Sequence, residues 1–245
     1  MISIFVILFG LCFGSFLNVL IIRAPMNKSV ILPSSSCMHC GRKLKAHHNI
    51  PVFSYFFLGG KCGFCKSRIS PMYPLVESTS GLICYLLYLK FDFSYSLIFI
   101  SISILLLFAL SVIDYRFKEV PDSINFAALV FGIIGALFNR DFLEVFISAF
   151  SMAGFFTLLR FALQNILKKE TLGEGDIIVV STMGAIAGAK LALTGIFIAS
   201  ILASIFLIFA KDSKTPFIPF LFLGLLVVLF FDGFFMKIIF DLYKI

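Results

Sequence analysis

The sequence contains no tryptophan and little charge. Only 13% of its 245 residues are Asp, Glu, Lys or Arg, whereas soluble domains carry about 25%. Hydrophobic residues make up 60%, and the mean hydropathy is +1.08. A soluble fold of this length has too little interior to bury so many apolar side chains. The composition therefore excludes a soluble globular protein and predicts a membrane protein, in which any aromatic belt must rest on tyrosine.

Apolar stretches close to the length of a membrane span, about 17–25 residues, recur along the chain. They predict an all-α polytopic protein with about eight transmembrane helices. The stretches are 2–22, 75–89, 94–113, 122–138, 142–160, 176–189, 191–210 and 217–236. The first has no basic residue before it, so we interpret it as a retained helix and not as a cleaved signal peptide. The stretches 75–89 and 176–189 are short, and each is expected to be a partial or tilted span.

Basic residues are distributed unevenly between the two predicted sides. If the N-terminus lies outside, 15 of the 20 Lys and Arg fall on the cytoplasmic side, as the positive-inside rule requires. The segment 23–75 carries eight of them and no Asp or Glu. We expect it to lie against anionic lipid headgroups, although its charge is equally consistent with a role in topology alone. Nucleic acid is not an expected partner, and the oligomeric state is not predicted.

Four of the six cysteines lie in this basic segment, as two C-x2-C pairs separated by 21 residues, namely Cys37, Cys40, Cys62 and Cys65. Four thiolates at this spacing form a closed, structural zinc site, and metal binding would supply folding energy to a short loop. Two disulfides or a redox pair are the alternative, which a reducing cytoplasm disfavours. Cys12 and Cys84 lie in apolar segments and are expected to be buried hydrophobic residues.

Carboxylates are scarce, so their positions are informative. Asp114 ends an uncharged stretch, and Asp176 follows Gly173-Glu174-Gly175 at the start of another. Both fall on the predicted cytoplasmic side. Ionisable groups at membrane depth indicate function, and two carboxyls in one apolar site tend to share a proton. This is the arrangement of an aspartyl protease: one carboxylate activates water while the protonated partner polarises the peptide carbonyl.

Ordinary helix capping is the alternative for these aspartates. Asp122, in Pro121-Asp122-Ser123, is predicted to begin a helix, where Asp is favoured. It is kept as a supporting candidate only. The glycines at 173 and 175 would let the backbone turn tightly and approach a substrate strand.

Several motifs in this order make the sequence resemble the type IV prepilin peptidases, also called prepilin leader peptidase/N-methyltransferases. The motifs run over most of the chain: Phe13-Gly-Ser-Phe-Leu-Asn-Val19, Arg23, Pro25, both cysteine pairs, Ile50-Pro51-Val52, Ile69-Ser70, Tyr73-Pro74-Leu75-Val76-Glu77, Asp114, Pro121-Asp122, Gly173-Glu-Gly-Asp176 and Pro216 to Leu221 with Gly224.

The resemblance implies a bifunctional enzyme of the bacterial inner membrane. It would cleave the leader of type IV prepilins or pseudopilins on the cytoplasmic face and then methylate the new N-terminal residue with S-adenosylmethionine. By motif match, Asp114 and Asp176 would be the catalytic pair. The resemblance points to Gly60 and Lys61 for the cofactor and to Glu77 as a supporting residue, since a carboxylate can take the proton of the attacking amine. Glu77 is alternatively a cap at the membrane edge.

We expect three parts: a first transmembrane helix (1–22), a four-cysteine loop domain associated with methyl transfer (23–75) and a transmembrane aspartyl peptidase domain (76–245). Three other functions fit fewer features. An ion-coupled transporter would place its carboxylates near the bilayer midplane, and a zinc-loop scaffold would not need the aspartates. A GxGD protease that cuts inside a membrane span would not need the cysteine loop.

Overall fold

The computed structural model describes residues 1–168, 172–209 and 215–242, and their regular structure is helical. In this part of the chain the only β-type pairing is two isolated bridges, Ser36 with Lys43 and Lys61 with Arg68. The helices are α1 (Ile2–Arg23), α2 (Phe53–Phe57), α3 (Met72–Phe91), α4 (Tyr95–Phe117), α5 (Asp122–Leu137), α6 (Phe142–Leu167), α7 (Glu174–Ala187), α8 (Ala189–Phe209), α9 (Ile218–Phe230) and α10 (Asp232–Leu242).

As far as the chain is described, all eight predicted apolar stretches fall on helices, which confirms the all-helical class. Among the described residues, four helical segments are long and apolar enough to cross a membrane: Ile2–Met26, Tyr95–Phe117, Phe142–Leu167 and Ala189–Phe209. A fifth crossing results if α9 and α10, which bend by 83° at their junction, form one broken span. The expected number of eight crossings is therefore not confirmed, because α3, α5 and α7 fall short in length or hydropathy.

The chain divides into two compact units, Met1–Leu97 and Ile98–Ile245. In the first unit α1 packs along α3, and Gly10 and Gly14 allow a close approach. A Cβ at Gly14 would lie 2.8 Å from the Cα of Glu77, and one at Gly10 would lie 2.8 Å from the Cα of Gly81. Small residues four apart bring membrane helices together in this way. The described segment between α1 and α3 contains the four cysteines.

The second unit is organised around α4 and α7. The side chains of Ile104, Leu107 and Leu110 in α4 are fully buried. The Ser103 hydroxyl in the same helix donates to the carbonyl of Ala128 in α5 at 2.6 Å. Helix α7 packs against α5, α6, α8 and α9, so a 14-residue helix is buried by protein through most of its length. By contrast, α6 and α8 expose many large apolar side chains, as expected of surfaces that face lipid.

The bond from the Ile218 N–H to Asp114 places the end of α4 beside the start of α9, and the bond from Asn125 to the Gly175 carbonyl places the start of α5 beside the start of α7. All four of these helix ends fall on the side predicted to be cytoplasmic. One expectation about the apolar cysteines is wrong: Cys84 is buried, but Cys12 is exposed on the surface of α1. A small thiol on an apolar helix surface needs no protein partner when lipid surrounds it.

Candidate active site and cysteine cluster

Asp114 lies near the C-terminal end of α4 and is buried, with 8% of its surface exposed. Its Oδ2 accepts a hydrogen bond of 3.0 Å from the backbone N–H of Ile218, at the first residue of α9. The N-terminal N–H groups of a helix carry partial positive charge and favour an anion. The start of α9 therefore supports a negative charge on Asp114 in a place where burial opposes it.

Asp176 is in the first turn of α7 and is partly buried. Its Oδ2 accepts a hydrogen bond of 3.1 Å from the backbone N–H of Gly173, the residue before the helix. The negative charge of Asp114 acts on the carboxyl of Asp176, so the two aspartates lie within electrostatic range of each other. No hydrogen bond joins them in the described structure; each carboxyl is held by a backbone N–H from a helix start.

The loop before Asp176 is fixed by its contacts with α5. The Asn125 side chain is fully buried, and its Nδ2 donates to the carbonyl of Gly175 at 2.9 Å. A Cβ at Gly175 would lie 2.8 Å from Cγ1 of Val120, so this position has no room for a side chain. Gly173 has φ −69°, so neither glycine uses a left-handed backbone conformation, and close packing is what Gly175 provides.

Asp122 is the first residue of α5, as predicted, and its side chain is exposed. Pro121 is the N-cap residue, so Asp122 lies in the first turn, where a carboxylate interacts favourably with the helix dipole. Its exposure contrasts with the burial of Asp114. The structure thus places Asp122 at the same end of the unit without the environment of the other two aspartates.

The four cysteines of the loop converge on one point. Their Sγ atoms all lie within 4.8 Å of one another, and Sγ of Cys37 is 3.8 Å from Sγ of Cys65. A tetrahedral zinc ion with Zn–S bonds of about 2.3 Å requires S···S separations of roughly 3.8 Å. The thiol set therefore fits a metal of that geometry and leaves no position open for a substrate.

The two knuckles repeat one local structure. In each, the N–H of the residue after the second cysteine donates to the carbonyl of the first: Gly41 to Cys37 at 2.9 Å and Lys66 to Cys62 at 3.0 Å. Both donor residues have positive φ, 67° and 58°. The isolated bridges close the two knuckles at matching positions. The sequence spacing alone did not reveal this repeat.

Backbone amides and neighbouring thiols act differently on the individual cysteines. The N–H groups of Cys40 and His39 lower the pKa of Cys37 to about 6, and hydrogen bonds from Ser67 lower the pKa of Cys65. The Arg42 N–H acts to lower the pKa of Cys40, but burial and the thiols of Cys37 and Cys65 raise it to about 11. A cation held by the four thiols would offset the mutual repulsion of their thiolates.

Two family models cover most of the chain. Residues 8–91 match the bacterial peptidase A24 N-terminal domain, and residues 101–208 match the type IV leader peptidase family. A Dichelobacter nodosus protein named prepilin leader peptidase/N-methyltransferase is 32% identical over 89% of this chain and 87% of its own length.

The chain belongs to the type IV leader peptidase family.

Two further relatives support this. A Myxococcus xanthus protein with the same name as the Dichelobacter one is 34% identical, over 75% of this chain and 55% of the relative. An Escherichia coli protein named type 4 prepilin-like proteins leader peptide-processing enzyme is 31% identical over 92% of this chain and 93% of its own length. No solved structure matches. Family membership confirms the resemblance and the enzyme class, and it disfavours the transporter and the scaffold.

The residues linked to methyl transfer lie in the first unit, but not at one point. Glu77 is buried in α3, and its Oε2 accepts a hydrogen bond of 2.7 Å from the N–H of Val52. Gly60 has φ 67° and lies against the Tyr55 ring, where a Cβ would be 3.1 Å from the phenol oxygen. Lys61 is exposed in the second knuckle. The conformation of Gly60 therefore already explains a glycine there, whether or not it touches a cofactor.

Sequence reasoning missed two buried amides, Asn18 in α1 and Asn125 in α5. Each is at most 2% exposed, and each leaves its Oδ1 without a hydrogen-bond partner. Amides carry no charge, so a search for ionisable groups passes over them. Their signal in the sequence is a polar side chain within an apolar helical run, which is costly unless it has a role.

Proposed function

We propose that this enzyme cleaves the leader peptide of type IV prepilins or pseudopilins at the cytoplasmic face of the bacterial inner membrane and then methylates the new N-terminus. The observation that carries the peptidase assignment is the placement of Asp114 and Asp176 at one end of the second unit, each at the N–H groups of a helix start. Both activities appear in the names of relatives that align over most of the chain.

In the proposed cleavage, one aspartate is charged and takes a proton from water, which attacks the scissile carbonyl carbon. The other is protonated and donates to the carbonyl oxygen as the tetrahedral intermediate forms. Collapse of the intermediate breaks the C–N bond and returns the proton of the former carbonyl oxygen to the second aspartate. The leaving nitrogen takes the proton that the first aspartate accepted from water and becomes the new amine. The N–H groups of Ile218 and Gly173 keep the two carboxyls oriented through these exchanges.

For the second activity, S-adenosylmethionine supplies a methyl group on a sulfonium when bound. The new amine must lose a proton before its lone pair can accept that methyl group, and Glu77 is the residue we propose to receive the proton. The thiols of Cys37, Cys40, Cys62 and Cys65 would hold a structural zinc ion and so fix the loop above α1 and α3. Gly60 and Lys61 remain proposed cofactor residues.

The test is mass spectrometry of a prepilin co-expressed with the enzyme. Leader loss and the added methyl group give separate mass changes, so each activity is read independently. We expect Asp114→Asn and Asp176→Asn to abolish leader loss while the protein still inserts in the membrane. Normal processing by both variants would refute the assignment of the pair. Cysteine variants test whether the added methyl group depends on the loop.

A further inference from the structure

The first unit contains a cavity of about 370 Å³ at the contact between α1, α3 and the four-cysteine loop. Asn18 and Glu77 line it from the two helices, and Tyr55, Cys37 and Arg68 line it from the loop. Gly60 and Lys61 do not line it. The cavity is large enough for part of a peptide or a small molecule.

Glu77 places a carboxyl group in the lining of this cavity. It is the only acidic residue before Asp92, in a stretch with nine Lys and Arg. Nevertheless, none of the ion pairs in the described residues includes it. Its carboxyl is buried and accepts hydrogen bonds from two neutral groups, the Val52 backbone N–H and the Ser15 hydroxyl. A buried carboxylate is costly without a paired cation. Arg23 and Arg68 also line the cavity, but neither forms an ion pair with Glu77 among the described residues.

Asn18 supplies a second hydrogen-bond acceptor at the same place. Its side chain is 2% exposed, and its Nδ2 donates to the carbonyl of Tyr73 at 3.1 Å. That bond fixes the amide, while Oδ1 is buried without a partner. Asn18 follows Gly14 by one helical turn, and Gly14 packs on the backbone of Glu77. The two helices therefore bring Asn18 and Glu77 close to each other, and both residues line the cavity.

We infer that this cavity binds a primary ammonium group, with Asn18 Oδ1 and the Glu77 carboxylate accepting its N–H donors. A cation with several N–H groups satisfies both residues, whereas an anion satisfies neither. Under the proposed function, on which this inference rests, two ligands carry such a group. They are the new N-terminus of the cleaved substrate and the amino-acid end of S-adenosylmethionine.

The inference is tested by blocking the ammonium group of each ligand. Isothermal titration of the full chain in nanodiscs would use a short peptide that begins with Phe, free and N-acetylated, and S-adenosylhomocysteine, free and N-acetylated. We expect at least a tenfold loss of affinity on acetylation for one of the two pairs. If acetylation weakens binding of the peptide, the ligand of the cavity is the substrate N-terminus. If acetylation weakens binding of S-adenosylhomocysteine, the ligand is the methyl donor. Equal affinities within both pairs overturn the inference, and this comparison needs no variant.

Variants then show whether acetylation weakens binding because the ammonium group loses its contacts with these two residues, and not because the acetyl group is larger. Glu77→Gln and Asn18→Leu should each reduce the tenfold preference to less than threefold, and Glu119→Gln, at an exposed carboxylate of the second unit, should leave it unchanged. A preference that persists in full in both folded variants overturns the inference. Leader cleavage measured on the same preparations reports the proposed peptidase separately, so failure of one assignment is distinguishable from failure of the other.

Discussion

Exchange of Asp176 for asparagine separates its proposed chemical role from its structural one. The carboxylate Oδ2 accepts the 3.1 Å hydrogen bond from the Gly173 N–H that closes the first turn of α7. Asparagine retains an acceptor oxygen of similar shape but has no charge and cannot exchange a proton. The loss of a charge at a helix start costs about 0.3–1 kcal/mol. Alanine also removes the hydrogen bond, which is worth roughly 1.5–3 kcal/mol when it involves a charged group.

The two variants should therefore differ in stability but not in activity. General acid–base catalysis contributes about 10²–10⁴-fold, so we expect kcat/KM for leader cleavage to fall by at least about 100-fold in both Asp176→Asn and Asp176→Ala. Only the alanine variant should also unfold at clearly lower temperature. Cleavage would be followed by mass spectrometry of a purified prepilin, and unfolding by thermal melts of the protein in detergent.

Asp141→Asn is the matched control, because Asp141 is also an aspartate at a helix start of the second unit but is exposed. It should retain both cleavage and stability. If Asp176 were only a cap, Asp176→Asn would cleave normally and the alanine variant would lose activity only in proportion to its lost stability. That result would refute the catalytic assignment. The same exchange at Asp114 should also abolish cleavage, because asparagine cannot exchange a proton. The variant should stay folded, because asparagine can still accept from the Ile218 N–H.

Three further predictions concern the neighbouring structure. Elemental analysis should find about one zinc ion per chain and less zinc in Cys65→Ser. Cys12→Ser is the control and should keep its zinc. Equal zinc in both variants would contradict the proposed site. Gly175→Ala should destabilise the protein by roughly 1–3 kcal/mol and reduce cleavage, because its Cβ would lie 2.8 Å from Val120. The control in thermal melts is Gly154→Ala, because a Cβ at Gly154 meets no neighbour within 4 Å. Glu174→Gln should change stability by less than about 1 kcal/mol and leave cleavage intact, because Glu174 pairs with Arg160 while its own side chain is 82% exposed.

The candidate catalytic residues could be predicted from the sequence because charge is so scarce in it. Asp114 and Asp176 stand at the ends of apolar runs, where a carboxylate is costly and therefore informative. What holds each carboxyl could not be predicted. Ile218 lies 104 residues from Asp114, and Asn125 reaches Gly175 across 50 residues. Such contacts depend on how helices pack, and hydropathy reports only that each helix exists.

The number of membrane crossings was harder to predict for a related reason. Hydropathy does not distinguish a helix that faces lipid from one that other helices bury. In α7 the run from Val179 to Ile186 is buried throughout, yet the helix has only 14 residues. Its apolar character is explained by its contacts with α5, α6, α8 and α9. Hydropathy averaged along the sequence carries no information about such contacts.

The two proposed sites lie in different units, and their chemistry bears on the order of the two proposed reactions. The aspartates proposed for cleavage lie in the second unit, while Glu77 of the basic first unit lines a cavity together with Asn18. An N-terminal amine does not exist at the processing site until the peptide bond is broken, so a site selective for an ammonium group would reject the uncleaved precursor. Selectivity of this kind enforces the sequence of cleavage and then methylation through the chemistry of the intermediate. It requires no signal between the units, because the product of one site carries the group that the other recognises.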